Sequence, residues 1–152
     1  MSNALQPVVM PRRVRGIGLI EVLVSVLVLS VGLLGIAAMQ AMALRGGQGS
    51  LESTQAVMAT NSILEAIRAN RTQAASYNMA MTCAGPSGSG IVGNDQIAWI
   101  ASLKATIGTG TTDTTTCGQI AGCPSACVIT VRWDDSRAGG SATREVSVRS
   151  QV

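Results

Sequence analysis

Glu21 raises the first chemical question. It stands at the head of residues 22–39, VLVSVLVLSVGLLGIAAM, a run that carries no charge. A carboxylate at the middle of a membrane helix costs ~2.5–3.5 kcal/mol, and less near an end. A group kept at such a cost generally has a use and a partner of opposite charge. The bland alternative is a glutamate resting among lipid headgroups. Gly16 lies five positions upstream, preceded by Arg12, Arg13 and Arg15. A cut after Gly16 would create an amine on Ile17. On an adjacent subunit that amine is a natural counter-charge for Glu21.

Other reactive types are few. There is no His, which removes Ser–His and Cys–His nucleophile pairs and the common His-ligand metal sites. Cys83, Cys117, Cys123 and Cys127 all lie in the C-terminal half. An even number in an exported domain reads as two disulfides, and four cysteines allow three connectivities. The small loop around Pro124 favours Cys123–Cys127, and with it Cys83–Cys117. Cys123-Pro124-Ser125-Ala126-Cys127 also has the spacing of a metal-ligand pair. An oxidising location argues against that reading, and the interval from Cys83 to Cys117 is not that of a zinc knuckle. Asp134-Asp135 imitates a catalytic carboxylate pair, but neighbours along a strand point apart. A hairpin turn after Trp133 suits them better. No catalytic residue, metal site or cofactor is expected.

These groups sit in an unusual composition. Hydrophobic residues make up 47% of the chain and charged ones 12%. The apolar excess is concentrated in residues 17–43. The aromatics are Tyr77, Trp99 and Trp133, with no Phe, so any globular core is small and aliphatic. The net charge of +3 is accounted for by Arg12, Arg13 and Arg15. From Ile17 onward eight basic residues face eight acidic ones. A neutral body without a basic stripe lacks the footprint of a nucleic-acid binder. Arginines directly before an apolar run instead act as a topology signal.

The elements follow from patterning. Residues 1–16 carry no acid and no apolar periodicity, and read as a leader. The apolar run, extended on both sides, is long enough to cross a bilayer core of roughly 30 Å as a helix, the state that satisfies its own backbone in lipid. Ser25, Ser30, Gly32 and Gly35 would let neighbouring helices approach closely. Arg45-Gly46-Gly47-Gln48-Gly49 is a weak point expected to loosen or bend the helix rather than end it. Residues 50–70 turn amphipathic, with Val57, Ile63, Leu64 and Ile67 on one side and Ala56 and Ala66 nearby. Residues 84–93 read as a loop. Asn94 or Asp95 is a candidate cap for a short helix to Ile107. Residues 108–116, GTGTTDTTT, read as an exposed low-complexity loop. The end reads as a hairpin: residues 127–133 alternate with Ile129, Val131 and Trp133 on one face, 134–140 turn, and 143–149 alternate with Val146 and Val148 together.

The segment Arg12-Arg13-Val14-Arg15-Gly16-Ile17-Gly18-Leu19-Ile20-Glu21, with the run behind it, resembles the class III signal of type IV prepilins and type II secretion pseudopilins. The resemblance implies cleavage by a prepilin peptidase between Gly16 and Ile17, N-methylation of Ile17, and an assembly role for the Glu21 carboxylate. Ile17 departs from the usual Phe or Met, and Gly18 from the common Thr or Ser. Residues 19–24 and 29–35, Glu65-Ala66-Ile67-Arg68-Ala69-Asn70-Arg71, Trp99 and Ile129-Thr130-Val131-Arg132-Trp133 are similar to the PilV-type minor pilins, the type IV pilus modification proteins. Major pilins usually kink this helix at a proline, and none occurs here between Pro11 and Pro86.

Together these readings give an α+β fold of the pilin kind. A leader at 1–16 precedes a long helix at 17–70, roughly 80 Å long if straight. Its membrane part is 17–43 and its amphipathic part 50–70. A small disulfide-stapled domain with an antiparallel sheet occupies 71–152. By resemblance the chain is a structural subunit, not an enzyme: a minor pilin that helps to initiate assembly of the pilus and is incorporated into it. Its implied partners are the prepilin peptidase, other minor and major pilins through the N-terminal helix, and the inner-membrane assembly platform. It would pass once through the inner membrane with its C-terminal domain in the periplasm, and later stand in the pilus. A type II secretion minor pseudopilin is the alternative. An ordinary secretory signal cut at Ala41-Met42-Ala43 is the further rival, but the apolar run is longer than the usual signal core and contains Glu21.

Overall fold

The computed structural model describes residues 16–152. Arg12, Arg13, Arg15 and the rest of the leader expected before Gly16 lie outside them. The chain forms two compact units, one reaching to Gln40 and one covering Ala41–Val152. The helix α1, Leu19–Ala69, contributes to both.

The first unit is the opening part of α1. Its described side chains are all exposed, although most are Val, Leu and Ile. Its few hydroxyls are tied inward: Ser25 Oγ donates to the Glu21 carbonyl at 2.6 Å and Ser30 Oγ to the Val26 carbonyl at 2.7 Å. Such back-bonding leaves the helix surface apolar without stranding a polar group. By length and composition α1 is able to cross a membrane.

The second unit builds its own core. α1 is followed by a 3₁₀ segment, Arg71–Tyr77, then β1 (Met79–Thr82), α2 (Gly90–Thr106), β2 (Cys117–Ala121), β3 (Cys127–Trp133), a short 3₁₀ turn (Ser136–Ala138) and β4 (Arg144–Ser150). The strands form one antiparallel sheet in the order β1-β2-β3-β4. Ile63, Leu64 and Ile67 of α1, Trp99, Ile100 and Leu103 of α2, and Ile120, Ile129, Val131 and Trp133 of the sheet share the core with Tyr77. The architecture is thus a long apolar helix with a small four-stranded sheet, α+β and pilin-like.

Several elements differ from expectation in detail, but α1 continues through Gly46, Gly47 and Gly49 without a break, as expected of one long helix. Gly49 is buried, and a Cβ there would lie 3.4 Å from both Asp135 Oδ1 and Arg144 Nη1, so packing against the β3–β4 turn compensates for weak helix propensity. The buried stripe is Ala56, Thr60, Ile63, Leu64 and Ile67, whereas Val57 is 41% exposed. Thr60 takes the place expected for an apolar residue because its hydroxyl donates to the Val57 carbonyl at 2.8 Å.

α2 begins at Gly90, so neither Asn94 nor Asp95 caps it. Gly88 and Gly93 approach so closely that a Cβ on Gly88 would fall 2.8 Å from Gly93 Cα. That approach folds part of the expected loop onto the helix start. Asp95 instead accepts from the Tyr77 hydroxyl at 2.5 Å. β1 and β2 are strands that the alternation left unmarked. The threonine-rich segment after α2 is not simply exposed, since Asp113 and Thr116 are buried.

Candidate functional site

Gly16, Ile17 and Gly18 precede the helix, which starts at Leu19. The Gly18 carbonyl accepts the Glu21 N–H at 3.0 Å and the Val22 N–H at 3.3 Å, closing the first turn. Glu21 therefore sits where a helix favours a negative charge. Its side chain is exposed, as is Ile17 at 75%. A Cβ added to Gly16 would meet nothing within 4 Å. Space within the fold does not demand glycine there, so a requirement for it would come from whatever reads this bond. The first unit thus brings Gly16, Ile17 and Glu21 onto one short, accessible segment at the head of an apolar helix.

The cysteines lie in the second unit. Cys83 is bonded to Cys117, linking the end of β1 to the start of β2. Cys123 is bonded to Cys127, closing the β2–β3 turn. Among the described residues no three of Cys, Asp and Glu converge as a metal site would require.

Four polar anchors in this unit were not legible in the sequence. Asp113 accepts five hydrogen bonds: from Thr109 N–H (3.0 Å), Thr115 N–H (2.6 Å), Thr115 Oγ1 (2.7 Å), Thr116 N–H (3.2 Å) and Thr116 Oγ1 (2.6 Å). Burial alone would raise this carboxyl, but the Thr116 and Thr115 donors, with Thr109, outweigh it and hold it well below the usual carboxylate range. Asp135 is 1% exposed and pairs through Oδ2 with Arg144. Asp134, its neighbour, accepts the Ser136 N–H at 2.9 Å on the outside of the turn. The two carboxylates diverge and form no acid–base pair. Trp133 Nε1 donates to Glu52 Oε2 at 2.9 Å, and Trp99 Nε1 to the Ala59 carbonyl at 3.0 Å. The indoles fasten α1 to the sheet and to α2. An aspartate among threonines, or a tryptophan closing a strand, gives no periodicity by which such roles are found.

Residues 11–37 match the family model described as the prokaryotic N-terminal methylation motif. The match includes Gly16, Ile17 and Glu21 and ends inside the apolar run. No curated protein and no solved structure matches the chain. The chain therefore carries the class III signal of type IV prepilins over these residues. The motif supports a type IV pilin or pseudopilin, a structural subunit that a prepilin peptidase processes, and it fits an inner-membrane anchor.

Proposed function

We propose that the protein is a minor type IV pilin, a structural subunit that helps to initiate assembly of the pilus and is built into it. The observation that carries this reading is the methylation motif at residues 11–37 on a helix whose apolar side chains are exposed. The leader, 1–16, directs the chain to the inner membrane. The apolar part of residues 17–70 anchors it there, and residues 71–152 stand in the periplasm until assembly. Prepilin peptidase cuts between Gly16 and Ile17, and the new amine on Ile17 is methylated. In the filament that amine faces Glu21 of a neighbouring subunit. An unpaired charge in an apolar core is expensive, so each subunit is held in register by the pair. The absence of a proline between Pro11 and Pro86 favours a minor over a major subunit.

Deletion in the parent organism tests the assignment. Loss of surface pili and of twitching is the expected result. A secretion defect with normal pili would assign the chain to a type II secretion system instead. Intact mass of the membrane-bound protein tests the processing: loss of residues 1–16 and gain of one methyl group are expected. A mature N-terminus at Leu44 would establish the secretory-signal reading and overturn this one.

A further inference from the structure

The 23 residues 22–44 carry no charge, and Arg45 ends the run. At 1.5 Å per residue they rise about 34 Å, slightly more than a hydrocarbon core of roughly 30 Å. With Glu21 at one boundary of the bilayer, Arg45 stands in the head-group layer of the other. In the second unit it is not the one cation there. Arg45 lines a cleft of about 460 Å³ between α1 and the β3–β4 turn, with Ser50 on the same wall and Arg144 on the turn's side. Gly46 on the helix and Gly139 on the turn keep the cleft open, since a Cβ at either would meet nothing within 4 Å.

The charges of the cleft do not cancel. Among the described residues Arg45 has no ion-pair partner. Arg144 Nη1 is paired with Asp135 Oδ2, and Asp135 is 1% exposed. The buried carboxylate therefore fixes one corner of the guanidinium, while the side chain, 41% exposed, keeps further N–H donors for a ligand. Two arginines and one carboxylate leave one positive charge to be met. A phosphodiester carries one negative charge and accepts charge-assisted hydrogen bonds from guanidinium forks. We propose that this cleft binds the head group of an anionic phospholipid, with the phosphodiester between Arg45 and Arg144. Phosphatidylglycerol has the matching chemistry: a single negative charge, and hydroxyls that can meet the hydroxyl of Ser50. Phosphatidylcholine brings a quaternary ammonium group, which the two arginines repel. Free phosphate shares the anion but is not held at the depth of Arg45. The proposal rests on the membrane-anchor reading of residues 17–43, which sets Arg45 among the head groups.

The test uses the full chain, extracted from its membrane in mild detergent. It is mixed with equal amounts of dioleoyl-phosphatidylglycerol, dioleoyl-phosphatidylcholine and inorganic phosphate, and native mass spectrometry counts what each molecule retains. One phosphatidylglycerol per chain is expected, favoured about fivefold over phosphatidylcholine, the scale of one basic residue at an anionic surface. Arg45→Gln and Arg144→Gln should each lower that retention about fivefold. Arg144→Gln also strips Asp135 of its partner, so Arg45→Gln is the decisive variant, since it breaks no ion pair within the fold. Gly46→Leu fills the cleft with its charges untouched and with better helix propensity, and should lower retention as well. Arg149→Gln removes the same charge at the other end of β4, where the adjacent Ser150 is bonded to Arg68, and should change nothing. Equal retention of the two lipids would overturn the proposal. So would a loss from Arg149→Gln as large as that from Arg45→Gln, or retention of inorganic phosphate in place of lipid. Recovery of the chain in the soluble fraction before extraction would overturn the anchor reading and the proposal with it, whereas a membrane-bound chain that fails these tests overturns the proposal alone.

Discussion

In the unit that reaches to Gln40 every described side chain is exposed, and order comes from the backbone of one helix. In the unit from Ala41 onward, Tyr77, Leu103, Cys117, Ile129 and Val131 are fully buried, and buried polar groups such as Asp113 are hydrogen-bonded. The first unit leaves a wealth of Val and Leu without partners of its own; the second satisfies nearly everything internally. Apolar surface left open in this way has to be covered by lipid or by other helices. Changes in the first unit should therefore register in assembly and leave folding alone. Changes in the second should register in stability.

The sharpest test of that contrast is Glu21→Val. The substitution leaves the helix apolar and removes the charge. Insertion and trimming are expected to proceed, while incorporation into filaments falls at least tenfold, the scale on which an unpaired buried charge acts. Immunoblots of sheared filaments against membrane fractions would show it. Gly16→Leu should do the reverse and block trimming outright. Equal incorporation of Glu21→Val and the parent chain would break the contrast.

Next in size is removal of Cys83–Cys117, which closes an interval of 34 residues. Replacing both cysteines by Ser should lower the stability of the second unit by about 3.8 kcal/mol on the loop-entropy scale. Cys123–Cys127 spans an interval of 4, and its removal should cost about 2 kcal/mol. Denaturant midpoints of the full chain in detergent would rank the two, and the reverse order would contradict the loop-length account.

Asp135→Ala comes third. It strips Arg144 of its partner and opens the space beside Gly49. Arg144 is partly solvated, so the loss is expected to be about 2 kcal/mol, nearer a lost charged hydrogen bond than a fully buried pair. The same denaturant curves would show it, with insertion unaffected.

The smallest effect is one of pH. The Asp113 carboxyl is held below its ordinary range in the folded state. It thus contributes stability that is fully present above the unfolded carboxylate pKa. That contribution fades as pH falls through the unfolded value toward the lower folded one. Asp113→Asn should destabilise the unit at neutral pH and flatten the acid limb of its stability curve. An unchanged acid slope would mean that another group titrates there.

The parts of this molecule that were legible in its sequence are those with a period or a motif. The long helix stood out because residues 22–39 carry no charge, and β3 because its residues alternate over 127–133. The segment around Gly16 and Glu21 was readable because a charge before an apolar helix is physically conspicuous. The rest was hidden for definite reasons. β2, CGQIA, owes its place to the registry it makes with β3 rather than to its own pattern. Thr60 rather than Val57 joins the buried stripe because a threonine that bonds its own helix behaves as an apolar residue of similar size. That the helix would cross three glycines was expected; that Gly49 is wanted at a close contact with the β3–β4 turn is something no propensity scale records.

The nest of donors around Asp113 makes the threonine-rich stretch a matter of counting rather than spelling. Thr111, Thr112 and Thr114 are exposed and are named in none of the bonds to the carboxylate, so replacements there should be silent. Thr109, Thr115 and Thr116 must reach one carboxylate together. A single residue added or removed between Thr109 and Asp113 would pull the Thr109 N–H off target, and one between Asp113 and Thr116 would do the same to the other donors, even if every letter of the loop remained threonine or glycine. Drift in composition is cheap along this stretch, whereas drift in length is not.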